Sequence, residues 1–415
     1  MNIYAVIILV TLCLSYFLNL ITNLLNLKHL NPILPKEFEG TYDAEAYKNS
    51  QEYTRVYTRF GFLTGTISIL ITLTFWFVGG FNYLDLIVRS WNLGAIGTGL
   101  VYIAILIVFR SILSFPFSIY TTFVIEERFG FNKTTVKTFI LDIIKSFFLG
   151  ILIGGPLLAG LLYFFHVAGH MAWIYAWVAT TAFTLVIQFI APTWIMPLFN
   201  KFIPLEDGEL RESIVSYAEK VKFPLKGVFV MDGSKRSKKS NAFFTGFGKN
   251  KRIVLFDTLI NNHAVGELVS VLAHEVGHYK KKHILKSMVI SILHMGLMFY
   301  LLSIFLSHKG LFDAFYMDNL SVYAGLIFFG MLYTPIEMIL SVIMQIFSRK
   351  NEYEADRFAV ETTGGGAHMI TALKKLSRDN LSNLTPHPVY VFLNYSHPPV
   401  LKRIEAIHTW QPITL

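Results

Sequence analysis

Cysteine is nearly absent: Cys13 is the single one in 415 residues. That excludes a disulfide framework, and nothing suggests thiol chemistry. Charge is scarce as well. Asp, Glu, Lys and Arg make up 15% of the chain, against about a quarter in soluble domains, which excludes an ordinary soluble protein. Internal repeats and low-complexity stretches are lacking, which speaks against a transporter with repeat symmetry around a midplane site. What fills the chain instead is 53% hydrophobic residues, with a mean hydropathy of +0.51.

Long apolar runs recur near 3–26, 60–80, 93–114, 138–165, 171–196, 287–307 and 322–346. Each is long enough to cross a bilayer as a helix. The first has no Lys or Arg before it and no small-residue cleavage pattern after it, so a retained helix is expected rather than a signal peptide. The net charge of +9 is unevenly spread. Segments 27–59, 110–137, 197–286 and 347–415 hold five, four, sixteen and eight basic residues. The intervening connections 81–92, 166–170 and 308–321 hold one, none and one. This alternation predicts basic segments on the cytoplasmic side. The basic run Lys235-Arg236-Ser-Lys238-Lys239 is better explained by anionic headgroups than by nucleic acid; no nucleic-acid partner is expected.

Chemistry enters at His274-Glu275-Val-Gly-His278. Histidines at i and i+4 share one helix face and can share one Zn²⁺, with Glu275 beside them as general base. His166 and His170 repeat that spacing without the glutamate and are read as a pair in a connection between apolar segments. The HExxH helix is expected from about Ala264 to the lysines 280–282, meeting the membrane near His283. A catalytic zinc needs a third protein ligand. Lys281 and Ile284 stand where one zincin pattern has glycine and histidine, so that pattern fails. The segment Glu352-Tyr-Glu354-Ala-Asp356-Arg-Phe-Ala359 offers another. On a helix Glu352, Ala355, Asp356 and Ala359 share a face, and the alanines allow close approach. Glu352 is expected to ligate, Asp356 to hold a ligating histidine from behind, and Glu354 to point elsewhere.

Upstream, 241–246 and 251–256 read as a hairpin joined by a Gly/Lys/Asn link, with another strand at 228–231. Its outer strand could pair with an extended peptide. Asp142, Lys145, Gln188, His294 and Glu337 lie within the spans, where ionisable groups favour a protein or water interior.

Together, His274–His278, Glu352–Asp356, Ser396-His397-Pro-Pro, Ile125–Thr135, Pro197–Phe202 and Ser237–Ile260 resemble the type I CAAX prenyl endoproteases. These are membrane-embedded gluzincin metallopeptidases. The resemblance implies an all-α polytopic membrane protein, about seven helices enclosing a chamber, with a small α+β cytoplasmic zinc-protease domain. It implies one Zn²⁺ per chain and cleavage after a prenylated cysteine, or of related peptides. It further implies that Asn241 and its strand bind substrate backbone, and that His397 and Arg403 act at or near the reacting carbonyl. If the C-terminal segment folds over the site, His397 supplies the donor an oxyanion needs. The division expected is 1–196 (five spans), 197–286 (cytoplasmic HExxH segment), 287–346 (two spans) and 347–415 (cytoplasmic, with the third ligand). A monomer in a bacterial inner membrane is expected, or the endoplasmic reticulum membrane in a eukaryote. The rival readings are a broad-specificity quality-control metalloprotease and a zinc-binding transporter or receptor.

Overall fold

A computed structural model of the chain describes residues 1–246 and 251–410. Seven helices are long and apolar enough to cross a membrane. Five come first: α1 (Ile3–Lys28), α2 (Ala44–Phe77), α3 (Gly94–Glu126), α4 (Val136–Val167) and α5 (Gly169–Leu198). The starts of α1 and α2 are set by polar caps. The Asn2 side chain accepts the Ala5 amide at 3.0 Å, and Asp43 accepts that of Ala46 at 2.6 Å, satisfying donors that a helix N-terminus leaves unpaired.

A four-stranded sheet follows: β1 (Phe202–Pro204), β2 (Leu225–Met231), β3 (Ala242–Thr245) and β4 (Lys251–Phe256), in the order β1-β2-β4-β3. The expected hairpin is β3 antiparallel to β4, Ala242 opposite Leu255; its Gly/Lys/Asn link lies outside the described residues. Next come α6 (Val265–Lys280), α7 (His283–Phe305), α8 (Val322–Thr363), α9 (Ala367–Asp379) and α10 (Val400–His408). α7 and α8 complete the seven spans. α8 runs 42 residues, passing from span seven into the Glu352 segment without a break near 346.

In α2 to α5 only 6% of each apolar window is buried. A helix in a packed bundle buries one whole stripe. These four leave most of their surface uncovered by protein, part of it lining a cleft of about 990 Å³ between α2 and α3. The dense packing lies at one end, where Trp76 stacks on Phe315 at 4.8 Å and Phe315 on Phe328 at 3.9 Å. That knot clamps the N-terminal end of α8.

At the other end α6 packs on the sheet. Leu268, Leu272, Ala273 and Val276 share one core with Ile253 and Leu255, so the sheet fixes one face of α6 and leaves the opposite face for chemistry. The sheet region is itself tied to the membrane helices. Arg236 pairs with Asp142 at 2.7 and 2.9 Å, and Lys239 pairs with Glu126 at 3.0 Å. Half of the basic run expected to face headgroups is therefore spent on internal anchors, while Lys235 and Lys238 stay exposed. Asp142 and Lys145 likewise serve this junction, Lys145 donating to the Leu198 carbonyl at 2.8 Å.

Candidate metal centre

α6 and α8 meet closely because glycine faces alanine. A Cβ on Gly277 would come within 3.0 Å of the Ala355 backbone. Glu352, Ala355, Asp356 and Ala359 are all buried, the face expected from helical phase.

The close approach brings three donor atoms together. His274 Nε2 lies 3.1 Å from His278 Nε2 and 3.4 Å from Glu352 Oε2, and His278 Nε2 lies 3.2 Å from Glu352 Oε1. Two ring nitrogens and a carboxylate thus converge within about 3.1–3.4 Å of one another. Glu352 Oε2 is buried without a hydrogen-bond partner. A cation resolves both conditions. Four ligands at about 2.0–2.1 Å in a tetrahedron stand roughly 3.3 Å apart, so the three spacings fit zinc. Among the described residues this is the one group of three such side chains with metal-ligand spacing.

Behind the three donor side chains, Asp356 Oδ1 accepts from His274 Nδ1 at 2.7 Å. Arg403 from α10 grips Asp356 with two donors, at 2.7 and 2.6 Å. Its guanidinium is 3.4 Å from His274 Nδ1 and 3.7 Å from Glu352. Arg403, expected to engage substrate, thus stands instead behind the three donor side chains, held on Asp356 and 11% exposed. The C-terminal segment does fold over the site. His397 Nε2 comes within 3.4 Å of Glu352, and its ring is the open one, 62% exposed. Asn241 is exposed at the head of β3, its side chain turned back onto the Ala242 amide, and no hydrogen bond joins it to the ligand cluster. β3 is the sheet edge next to β4, so its outer side is free for an added strand.

Glu275 is half-buried, and no hydrogen bond is made by its carboxylate among the described residues. Its removal from water pushes the carboxyl up from the ordinary range, against the pull of His274 and His278, which suits a base working near neutrality. Burial pulls the His274 proton off, yet the Asp356 carboxylate outweighs it and holds the ring protonated above the usual imidazole range.

Nothing in the motif spacing marks His283 as part of the site. Its Nδ1 lies 3.1 Å from His278 Nδ1, and its Nε2 lies 3.1 Å from Glu354 Oε2. A histidine just past the lysines was the available signal. What hid it is the turn between α6 and α7, where Lys282 takes a left-handed φ of 59° and brings the next side chain back. A cavity of about 360 Å³ opens beside His278 and His283, walled by Thr184, Gln188, Ser291 and Met295 from α5 and α7. Gln188 therefore lines this cavity. His294 Nε2 bonds Tyr333 at 3.0 Å and lies 3.3 Å from Glu337. His166 and His170, the motif-like pair, sit at the α4–α5 connection.

Comparison with known proteins gives concordant matches. The family model described as CAAX prenyl protease N-terminal, five membrane helices, matches residues 23–201; that described as Peptidase family M48 matches 204–411. The chain is 38% identical to a CAAX prenyl protease 1 homolog of Oryza sativa, over 91% of this chain and 90% of that protein. It is 34% identical to a CAAX prenyl protease 1 homolog of Homo sapiens, over 91% and 89%. The crystal structure of S. mikatae Ste24p superposes with a TM-score of 0.89 at 34% identity, covering 98% of both chains.

Proposed function

The chain belongs to peptidase family M48 as a CAAX prenyl protease, and on that footing we propose a membrane zinc endopeptidase that cuts prenylated CAAX-type proteins after the lipidated cysteine. The observation that carries the reading is the convergence of His274, His278 and Glu352 beside Glu275. His274, His278 and Glu352 would hold the metal. A zinc ion there supplies Lewis acidity toward a carbonyl and makes water easier to deprotonate. Glu275 takes that proton and returns it to the departing amine. His397, open to the front of the site, donates to the developing oxyanion. β3 offers its free edge to the peptide backbone, with Asn241 at its head.

The rich and poor basic segments support a site facing the cytoplasm, in a bacterial inner membrane or the endoplasmic reticulum of a eukaryote. We take the active form to be a monomer without a nucleic-acid partner.

The test uses purified protein with a farnesylated CAAX peptide, its unmodified counterpart and a misfolded soluble protein. Cleavage of the farnesylated peptide, lost on chelation, is expected. Equal cleavage of all three would favour the quality-control reading. Glu275→Gln should lose about 10²–10⁴-fold in kcat with zinc still bound. Near-normal turnover by that variant would remove Glu275 from the reaction.

A further inference from the structure

The two histidine ligands are supported differently. His274 meets a carboxylate directly, Asp356 at 2.7 Å. His278 meets another imidazole, His283 at 3.1 Å, and that imidazole meets Glu354 at 3.1 Å. The His278 and His283 rings stand edge to face with centroids 5.2 Å apart. His283 is 3% exposed.

Proton counting leaves two arrangements for this chain when both rings are neutral. In one, His278 carries its proton on Nδ1 and donates to His283 Nδ1. His283 then carries its proton on Nε2 and donates to Glu354, and His278 Nε2 keeps its lone pair for a metal. In the other, His283 donates from Nδ1 to His278, whose proton sits on Nε2. That blocks the ligating nitrogen and aims a bare His283 nitrogen at a carboxylate, lone pair against lone pair. The negative charge of Glu354 rejects the second arrangement.

We propose that His283 and Glu354 are positioning residues for the metal: through two hydrogen bonds they hold His278 in the tautomer that can ligate. The left-handed turn at Lys282 is the backbone feature that makes this possible. A non-glycine residue there is uncommon and is retained only where its surroundings fix it. Lys282 donates to the Tyr279 carbonyl at 3.0 Å and accepts from Lys286 at 3.0 Å, so α6 ends and α7 begins with His283 returned to the ligand. Glu354 is two residues beyond Glu352, on the flank of α8 that meets His283. One helix thus supplies a ligand, the carboxylate behind one histidine and the carboxylate at the end of the chain behind the other.

This rests on the zinc reading above, and the test separates the two. The full chain in detergent is stripped of metal and titrated with zinc against a chelator of known affinity. No zinc binding by the parent protein would defeat the zinc reading itself. With binding established, His283→Phe should weaken zinc about 10–100-fold, the usual cost of removing such a partner. Glu354→Gln should weaken it by a smaller factor, since the amide keeps a hydrogen bond but no longer selects the tautomer. Glu354→Ala should still fill with zinc at saturation, whereas Glu352→Ala should not. The deciding measurement is the double variant. If the residues form one chain, Glu354→Gln costs nothing further once His283 is Phe, because coupled partners are non-additive. Co²⁺ absorption should shift in His283→Phe, reporting a changed ligand ring. Parental zinc affinity in both single variants, or full additivity in the double, overturns the proposal. Should His283→Phe fail to fold, His283→Leu, which likewise has neither donor nor acceptor, takes its place with the same readings.

Discussion

At the residue scale, the HExxH spacing placed His274, Glu275 and His278 on one helix, and helical phase alone put Glu352 and Asp356 on one face. These were legible because α-helical geometry is local. His397 and Arg403 were not: nothing in local periodicity says that α10 folds back across α8, and only the family resemblance pointed to them. His283 escaped because the left-handed turn at Lys282 breaks helical phase. The Asp356 carboxylate has a consequence for metal uptake. With the His274 pKa raised, the metal-free ring carries a proton at neutral pH that zinc must displace. Apparent zinc affinity should therefore rise with pH and keep rising above about 6.5, where an ordinary imidazole is already neutral. Competition titrations from about pH 6 to 9, corrected for the chelator's own protons, measure it. A plateau starting near 6.5 would contradict it.

At the element scale, the contact between α6 and α8 sets the ligand spacing. The sequence suggested alanines on α8 for this; Gly277 is the other half, hidden inside the x positions of HExxH. Gly277→Ala puts a methyl within 3.0 Å of the Ala355 backbone. Overpacking of this sort costs about 1–3 kcal/mol, and here it opens the gap between the histidines and Glu352. Lower zinc affinity with retained helical content by circular dichroism is expected. Unchanged affinity would mean the interface gives way elsewhere. The helices outran their apolar windows: α2 starts at Ala44 and α8 ends at Thr363. Hydropathy marks where lipid begins and ends, whereas hydrogen bonding continues until a cap. At α8 that cap is Gly364, with φ at 85°, a left-handed stop that glycine takes without strain.

At the scale of the whole molecule, span count and the position of the catalytic segment were readable, since a bilayer imposes length and polarity on each run. The sheet order was not, because register between distant strands leaves no periodic trace. Neither was the use of Arg236 and Lys239 as anchors, since a basic run reads the same whether it faces lipid or a buried acid. The closed C-terminal segment makes a global prediction. A chain ending after Leu393 lacks His397 and Arg403 and leaves Asp356, 0% exposed, without its cation. Breaking such a buried pair costs about 3–5 kcal/mol. Peptide cleavage should vanish and zinc should dissociate more readily. A truncated enzyme with full activity would show that residues 394–415 play no part in the site.

The unbroken α8 has one more consequence. Its N-terminal end is clamped in the aromatic knot of Phe315 and Phe328, Pro335 lies inside its apolar stretch, and its far end carries Glu352. From Pro335 to Glu352 the helix rises about 25 Å at about 1.5 Å per residue. It is a lever: a tilt of roughly 2° moves the carboxylate by about 1 Å, a displacement that can cost about 10²-fold in rate. Bilayer thickness alters helix tilt, so the membrane itself should tune this enzyme. Reconstituted into vesicles of short-, medium- and long-chain phosphatidylcholine, it should show a thickness optimum in kcat, and equal rates in all three would mean the lever is locked.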